Sequence, residues 1–273
     1  MQKKKARPYY RDLMEIEDLQ VRPAQSRSEL EAAFHLVYKT YLSKGLIEPS
    51  RNEMRFSIFH AFPETVTFVS VLRGTVIATA TLVADTEAGL PMDKIYHEEL
   101  QELRESGRQL AEVTMLADRR NNNLRRTIPM LFLLMKRLFD RTRLELEADD
   151  VCIAVHPHHA DFYKKYLLFE PLGPRRLYPA VEHNPAVAKR LDFRSVKERY
   201  AARPRLWKTF FEDITPPEYR KKKKNLLRED ITRLLSENPD ALRQASPEAV
   251  KVLQDEYPGC PWEKLLSTHD PNL

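Results

Sequence analysis

The chain is poor in glycine: six in 273 residues, about 2% where roughly 7% is usual. Gly45, Gly74, Gly89, Gly107, Gly173 and Gly259 never fall two to five residues apart. That spacing excludes a Walker-type phosphate loop and a G-x-G-x-x-G dinucleotide turn, each of which needs clustered glycines. Cysteine is scarcer still, and Cys152 and Cys260 alone cannot form a disulfide framework, which fits a reducing compartment. The longest apolar run, Ile128–Met135, is far short of the ~20 residues that span a bilayer. Lys3, Lys4, Lys5 and Arg7 have no apolar segment behind them, so they do not make a secretory signal. A cytoplasmic protein is the expectation.

What is present is ordinary for a globular chain with a real core: 42% hydrophobic and 31% charged residues. The length allows one large domain, or one domain plus an extension. Forty-five basic residues against 40 acidic leave a net charge of +5, which favours an acidic partner or a polyanionic ligand without naming one.

Residues 1–20 read as a basic, then acidic, arm. Leu19–Arg22 alternates like a short strand. Ser28-Glu29-Leu30-Glu31 has the form of a capping box, and Leu30, Ala33, Phe34, Val37, Tyr38 and Tyr41 follow at helical spacing. Gly45 is a natural stop for that helix. Residues 46–64 carry no period. Residues 65–72 and 75–83 are β-branched runs joined by Arg73-Gly74, the pattern of a hairpin. A charged helix over 96–106, a strand over 109–116, a buried helix over 127–142 and an apolar central strand over 151–155 come next. His159, Phe162, Tyr163, Tyr166 and Leu167 form a helical stripe, and 169–183 reads as extended chain. Beyond Asp192 come short helices with cap-plus-proline starts, Thr215-Pro216-Pro217-Glu218 and Ser246-Pro247-Glu248. The expected division is an arm over 1–20, a domain over 21–194 and a helical extension over 195–273.

This element order, with an apolar strand followed by His-x-x-Phe-Tyr, resembles the GNAT acyltransferase fold. Three stretches are similar to the long-chain N-acyl amino acid synthases, relatives of the acyl-homoserine-lactone autoinducer synthases. The first is Gly89-Leu90-Pro91-Met92-Asp93 with Glu98-Glu99-Leu100, Leu103-Arg104 and Gly107-Arg108; the second is Leu110-Ala111-Glu112-Val113. The third is Val155-His156-Pro157-His158-His159-Ala160-Asp161-Phe162-Tyr163, followed by Phe169. The resemblance spans residues 21–193. It implies an α/β fold with a mixed, mostly antiparallel central sheet and helices on both faces. It also implies transfer of a fatty acyl group from a thioester, on acyl carrier protein or coenzyme A, to the amine of an amino acid or a related amine. No tightly bound cofactor is implied.

Aminolysis of a thioester needs a neutral amine, a stabilised oxyanion and a proton for the departing thiolate. The resemblance assigns Glu112 as the base, Tyr163 as the acid, and the backbone amides of Met115 and Leu116 as the grip on the thioester carbonyl. His159 is expected to cap its helix or orient a substrate. A plain structural reading stands beside each: Glu112 in a surface ion pair, Tyr163 as a core aromatic. Cys152, inside an apolar strand, reads as a small core residue. His156, His158 and His159 do not converge easily on one ion, and no carboxylate or cysteine pattern accompanies them; no metal is expected.

Coenzyme A-using GNAT enzymes carry glycines where this chain has Asp118-Arg119-Arg120-Asn121-Asn122-Asn123-Leu124-Arg125-Arg126. Asparagine tolerates left-handed backbone, so Asn121–Asn123 with Arg119, Arg120, Arg125 and Arg126 suit one phosphate of a carrier-bound phosphopantetheine, at a helix N-terminus. The same arginines suit the acidic face of a carrier protein; a solvated basic turn is the plain alternative. Phe34, Val37, Tyr38, Met130, Leu131 and Leu134 are the expected acyl-pocket residues. Lys221–Lys224 reads as a solvated helix face, with peripheral membrane contact open and nucleic acid unsupported by any motif. Two rival readings compete with the N-acyl amide synthase: a coenzyme A-dependent N-acetyltransferase, and a non-catalytic module that binds carrier protein or lipid.

Overall fold

The computed structural model describes residues 8–13, 16–119, 124–212 and 228–267. A seven-stranded sheet runs through it in the order β1-β2-β3-β4-β5-β7-β6. The strands are β1 (Leu19–Pro23), β2 (Val66–Leu72), β3 (Thr75–Ala84), β4 (Leu110–Asp118), β5 (Asp150–Val155), β6 (Glu170–Tyr178) and β7 (Asn184–Asp192). Every neighbouring pair is antiparallel except β4–β5. The fold class is therefore the expected GNAT-like one.

The β2–β3 hairpin turns on Arg73 (φ +49) and Gly74 (φ +74). Two successive left-handed residues make the tight turn whose twist matches paired strands, and glycine takes that conformation without a Cβ penalty. The segment after β6 differs from the expected extended chain. Residues 179–183 turn, and β7 returns to lie between β5 and β6. Its alternation is blurred because the charged Lys189 is buried on the same face as Leu191, so periodicity did not mark it.

Four helices cover the sheet: α1 (Arg27–Leu42), α2 (Asp93–Glu105), α3 (Leu124–Leu144) and α4 (Pro157–Leu167). The cap of α1 is Ser26, not Ser28: Ser26 Oγ accepts from Glu29 N at 3.2 Å. Glu29 fixes this start because its carboxylate is held by the Arg22 guanidinium at 2.8 Å and by Gln25 N at 2.7 Å.

Strand alternation sends odd and even residues to opposite faces. One face, with Phe68, Ala80, Leu82, Ala111 and Val113, packs on Phe132, Leu134 and Phe139 of α3. The other face divides. Val69, Val71 and Val76 meet Phe34 and Val37 of α1, while Val83 and Leu110 meet Met92, Tyr96 and Leu100 on the α2 side. The chain past Asp192 packs on both faces. Tyr200, Phe210 and Phe211 join the α3 cluster. Ile231 and Leu234 of α5 (Arg228–Glu237) join the α1 cluster, with Leu253 and Trp262. At the start of the central strands Arg108 bridges Asp150 and Asp192, its Nη2 lying 2.7 Å from Asp192 Oδ1, which pins β4, β5 and β7 together. No helix among the described residues is long and apolar enough to cross a membrane.

Candidate active site

The parallel pair at the centre of the sheet is short. β4 and β5 pair only through Leu110–Asp150, Ala111–Val151 and Glu112–Cys152, yet β4 continues to Asp118 and β5 to Val155. The sheet therefore opens just past Glu112. On the other edge of β4, Thr114 and Ala117 pair with Thr81 and Thr79, so Met115 and Leu116 oppose Ala80 alone. This is a β-bulge, with Met115 in the left-handed region at φ +52. A bulge leaves its extra residue outside the ladder, and no β5 partner exists on the opposite side. Backbone donors at Met115 and Leu116 thus border the opening.

Glu112 stands at the closed end of that opening and is 2% exposed. Its Oε2 accepts one hydrogen bond, from Met92 N at 2.8 Å. Burial pushes its carboxyl up to about 8, aided by the negative charges of Asp93 and Asp85 and opposed by the Met92 hydrogen bond. A carboxyl with that affinity for a proton is a stronger base when ionised than an exposed glutamate.

The donor is held by a tight turn. Gly89 has φ +70, and a Cβ there would lie 2.8 Å from Asp93 Oδ2. Leu90 N donates to that oxygen at 2.6 Å. Arg104 binds Asp93 through two nitrogens at 2.8 and 2.7 Å and Asp85 through two at 2.7 and 2.9 Å. From β6, Tyr178 Oη donates to Pro91 O at 2.9 Å. The Gly89–Asp93 motif thus positions the main chain against Glu112.

Tyr163, on α4, lies within the α3-side cluster, 8% exposed. Its ring meets Phe162 and Phe169 edge-on, and its hydroxyl makes no hydrogen bond among the described residues. Burial holds the phenol well above its ordinary value, with Tyr41 adding to the shift. Tyr41, from α1, is itself raised by burial and feels both Arg55 and Glu112.

The other expected residues separate. Phe34 and Val37 pack with Phe56 on the α1 side, and Tyr38 Oη accepts from Ser50 N at 3.2 Å. Met130 and Leu134, with Leu131 against them, lie across the sheet in the α3 cluster. The histidine that caps α4 is His156, not His159. Pro157 occupies the first helical position, so the cap falls one residue earlier, and His156 Nδ1 accepts from His158 N at 3.3 Å. His159 N donates to His156 O. Cys152 is fully buried, its thiol raised well above the ordinary value by desolvation. Arg119 is exposed and its N donates to Ile77 O at 2.8 Å. Arg120 and Asn121–Asn123 lie outside the described residues, as do the side chains of Arg125 and Arg126 and the run Lys221–Lys224.

A cleft of about 1290 Å³ lies over the Gly89–Asp93 turn. Its walls are the aperiodic loop after α1, the start of α2, the β6–β7 turn at Pro179-Ala180, and residues 236–249 of the C-terminal helices. Arg55, Lys94, Tyr41 and Tyr178 were not legible as site residues. Arg55 sits in the stretch without period, and a tyrosine at helical spacing carries no mark that separates a site from a core.

A central parallel pair that parts beside a buried carboxyl, within a mostly antiparallel seven-stranded sheet, is the arrangement of a GNAT-like fold. The family model "N-acyl amino acid synthase FeeM" matches residues 32–192, more than half of the chain. The protein belongs to the FeeM N-acyl amino acid synthase family. The solved FeeM from uncultured soil microbes is 27% identical, with a TM-score of 0.57, covering 66% of this chain and 93% of that one. The AHL synthase LasI is 17% identical at a TM-score of 0.47, covering 64% and 88%. An acyl-CoA N-acyltransferase from Pseudomonas aeruginosa is 16% identical at 0.40, covering 63% and 97%. Among curated proteins, none matches significantly.

Proposed function

We propose that this N-acyltransferase moves a fatty acyl group from the phosphopantetheine thioester of an acyl carrier protein to the amine of an amino acid, and that Glu112 is its base. The observation that carries the reading is the buried Glu112 carboxyl, raised to about 8 beside the opening between β4 and β5. The solved FeeM, named an N-acyl amino acid synthase, supports the amino-acid acceptor.

In this mechanism ionised Glu112 takes a proton from the acceptor ammonium, and the free amine attacks the thioester carbonyl carbon. A C–N bond forms, and the oxyanion is met by backbone N–H groups at Met115 and Leu116. The C–S bond then breaks. The nitrogen loses its second proton and the thiolate gains one, leaving a neutral amide and a free thiol. Tyr163, held protonated by burial, stabilises the departing sulfur as a hydrogen-bond donor. Its phenol is too weak an acid to be the net proton source, so that proton comes through Glu112 or water.

The carrier-protein donor is favoured by two features. The segment Asp118–Arg126 has no glycine with which to wrap a pyrophosphate. A groove along α1 is lined by Lys39, Lys44 and Arg119 together with Glu53 and Asp118, a rim with a small basic excess that complements an acidic partner. Phe34 and Val37 stand on the opposite face from Met130 and Leu134, so one acyl chain touches both groups only by threading the opening. We assign the acyl chain to the α3 side, where Tyr163 lies, and the acceptor to the cleft over Gly89–Asp93.

Mass spectrometry of lipid extracts tests the reaction. Cells making the protein should accumulate an N-acyl amino acid that cells making Glu112→Gln lack. No N-acyl amide in either would remove the acyl-transfer reading, and full accumulation with the variant would remove Glu112 as base.

A further inference from the structure

The depth of the large cleft is unbalanced in charge. Of the acids lining it, Asp93 is bound by Arg104, Glu237 by Arg233 and Asp240 by Arg243. The others are exposed at the rim. Arg55 is different. It is only partly exposed and has no carboxylate partner among the described residues. Its Nη2 donates to Ala180 O at 2.6 Å, and its Nε is buried without a hydrogen-bond partner among the described residues. A guanidinium carries five donors in a planar fork that matches a carboxylate, and most of this fork is unused.

Lys94 supplies a second unpaired cation on the same wall. Among the described residues its Nζ donates only to the main-chain oxygen of Gln244, at 3.1 Å. Desolvation lowers its ammonium pKa, and the charge of Arg55 lowers it further, so the two cations share one neighbourhood. Glu112 lies against the turn that forms part of the same wall: Met92 N, which donates to its carboxylate, stands between the cleft-lining Leu90 and Asp93. A ligand whose amine meets Glu112 therefore has a cation waiting for an anionic group nearby.

We propose that Arg55, assisted by Lys94, binds the carboxylate of the acceptor and so selects amino acids over simple amines. This rests on the acyl-transfer reading above. Two partly desolvated cations without a counter-ion are costly unless an anion completes them, and a carboxylate bound by the Arg55 fork forms charge-assisted, bidentate hydrogen bonds. The wall that carries Gln244 lies outside the family match at 32–192, so the acceptor's side chain meets C-terminal helices beyond that match.

The test compares the amino acid that the wild type acylates best with the amine made by removing its carboxyl group, both with a long-chain acyl-carrier thioester. The wild type should prefer the amino acid by about 30-fold or more in kcat/KM, the scale of hydrogen bonds to a charged group. Arg55→Ala should raise KM for the amino acid about 10- to 100-fold and collapse the preference. Arg55→Lys should retain part of it, and Lys94→Gln should lose several-fold (about 3- to 10-fold). An unchanged preference in Arg55→Ala would overturn the proposal. If Arg55→Ala fails to fold through loss of its bond to Ala180, Arg55→Lys and Lys94→Gln decide by the same ratio. A binding arm separates the site from the reaction. The amino acid alone should raise the melting temperature of the wild type, less that of Arg55→Lys and not that of Arg55→Ala, whether or not turnover is found. Equal shifts in all variants would sink the site while leaving acyl transfer standing. No turnover with any amine would sink acyl transfer while the melting shifts still judge the site.

Discussion

Replacing Glu112 by glutamine should change how stability depends on pH, independently of any substrate. In the unfolded chain this carboxyl titrates near its ordinary value, 4.5, and in the folded protein near 8. The folded state thus holds the proton more tightly, and unfolding between those values releases it. Stability contributed by the neutral carboxyl is complete below the unfolded value and is lost as pH rises toward the folded one, at about 1.4 kcal/mol per pH unit. Across the whole window the loss approaches a ceiling of about 5 kcal/mol, reduced by any water that enters on ionisation. Glu112→Gln keeps the shape and an oxygen able to accept from Met92 N, but it cannot ionise. The two proteins should have similar stability near pH 5, and the variant should pull ahead steadily until about pH 8. Urea denaturation at half-unit steps from about pH 5 to about pH 9 reads the difference. A difference that stays constant across the window would refute the buried, proton-binding state of Glu112. In the same buffers, wild-type kcat/KM should climb toward about pH 8 and level off, with the variant lower by about 10²- to 10⁴-fold.

Tyr163→Phe should lower kcat by about tenfold or more with little change in KM, and should shift stability by under about 1 kcal/mol, because the hydroxyl has no hydrogen-bond partner among the described residues. Steady-state kinetics beside thermal unfolding checks this, and equal kcat would return Tyr163 to the core. Gly89→Ala should cost about 1–3 kcal/mol, since the position needs φ +70 and the new Cβ would meet Asp93 Oδ2 at 2.8 Å. Denaturant titration measures it, and a neutral outcome would show that the turn is not held as described. Leu234→Ala should cost about 2–5 kcal/mol, because Leu234 is fully buried in the α1 cluster. A surface-like cost in a melting experiment would mean that α5 is not part of that core.

Much of the fold was legible because its elements are locally consistent. The β-branched runs around Arg73-Gly74 fold as β2–β3, and the helical stripe from Leu30 to Tyr41 folds as α1. What escaped depended on long-range partners. The cap moved from Ser28 to Ser26 because Glu29 is captured by Arg22, a contact between β1 and α1 that spacing does not encode. β7 went unmarked because a buried Lys189 interrupts its apolar face. Motifs named Glu112 and Tyr163, but neither the separation of β4 from β5 nor the bulge at Met115 leaves a trace in composition. Arg55 acquires its meaning only from what is missing around it in space.

The chemistry and the architecture meet at one point. A carboxylate can serve as a base for an ammonium only if its proton affinity is raised, and burial on the paired end of β4 raises it. A thioester can approach only where the sheet is open, and β4 and β5 part immediately beyond that residue. The same strand thus carries both the proposed base and the proposed backbone donors, on a rigid element.

The most direct measurement is kcat/KM for the purified protein with one long-chain acyl group presented on carrier protein and on coenzyme A, using an amino acid acceptor and detecting product by mass. The predicted result is an N-acyl amino acid formed with the carrier-protein thioester at least about tenfold more efficiently, a difference of about 1.4 kcal/mol in transition-state stabilisation. Equal or better turnover with the coenzyme A thioester would contradict the carrier-protein donor, and no N-acyl product from either would contradict the reaction itself.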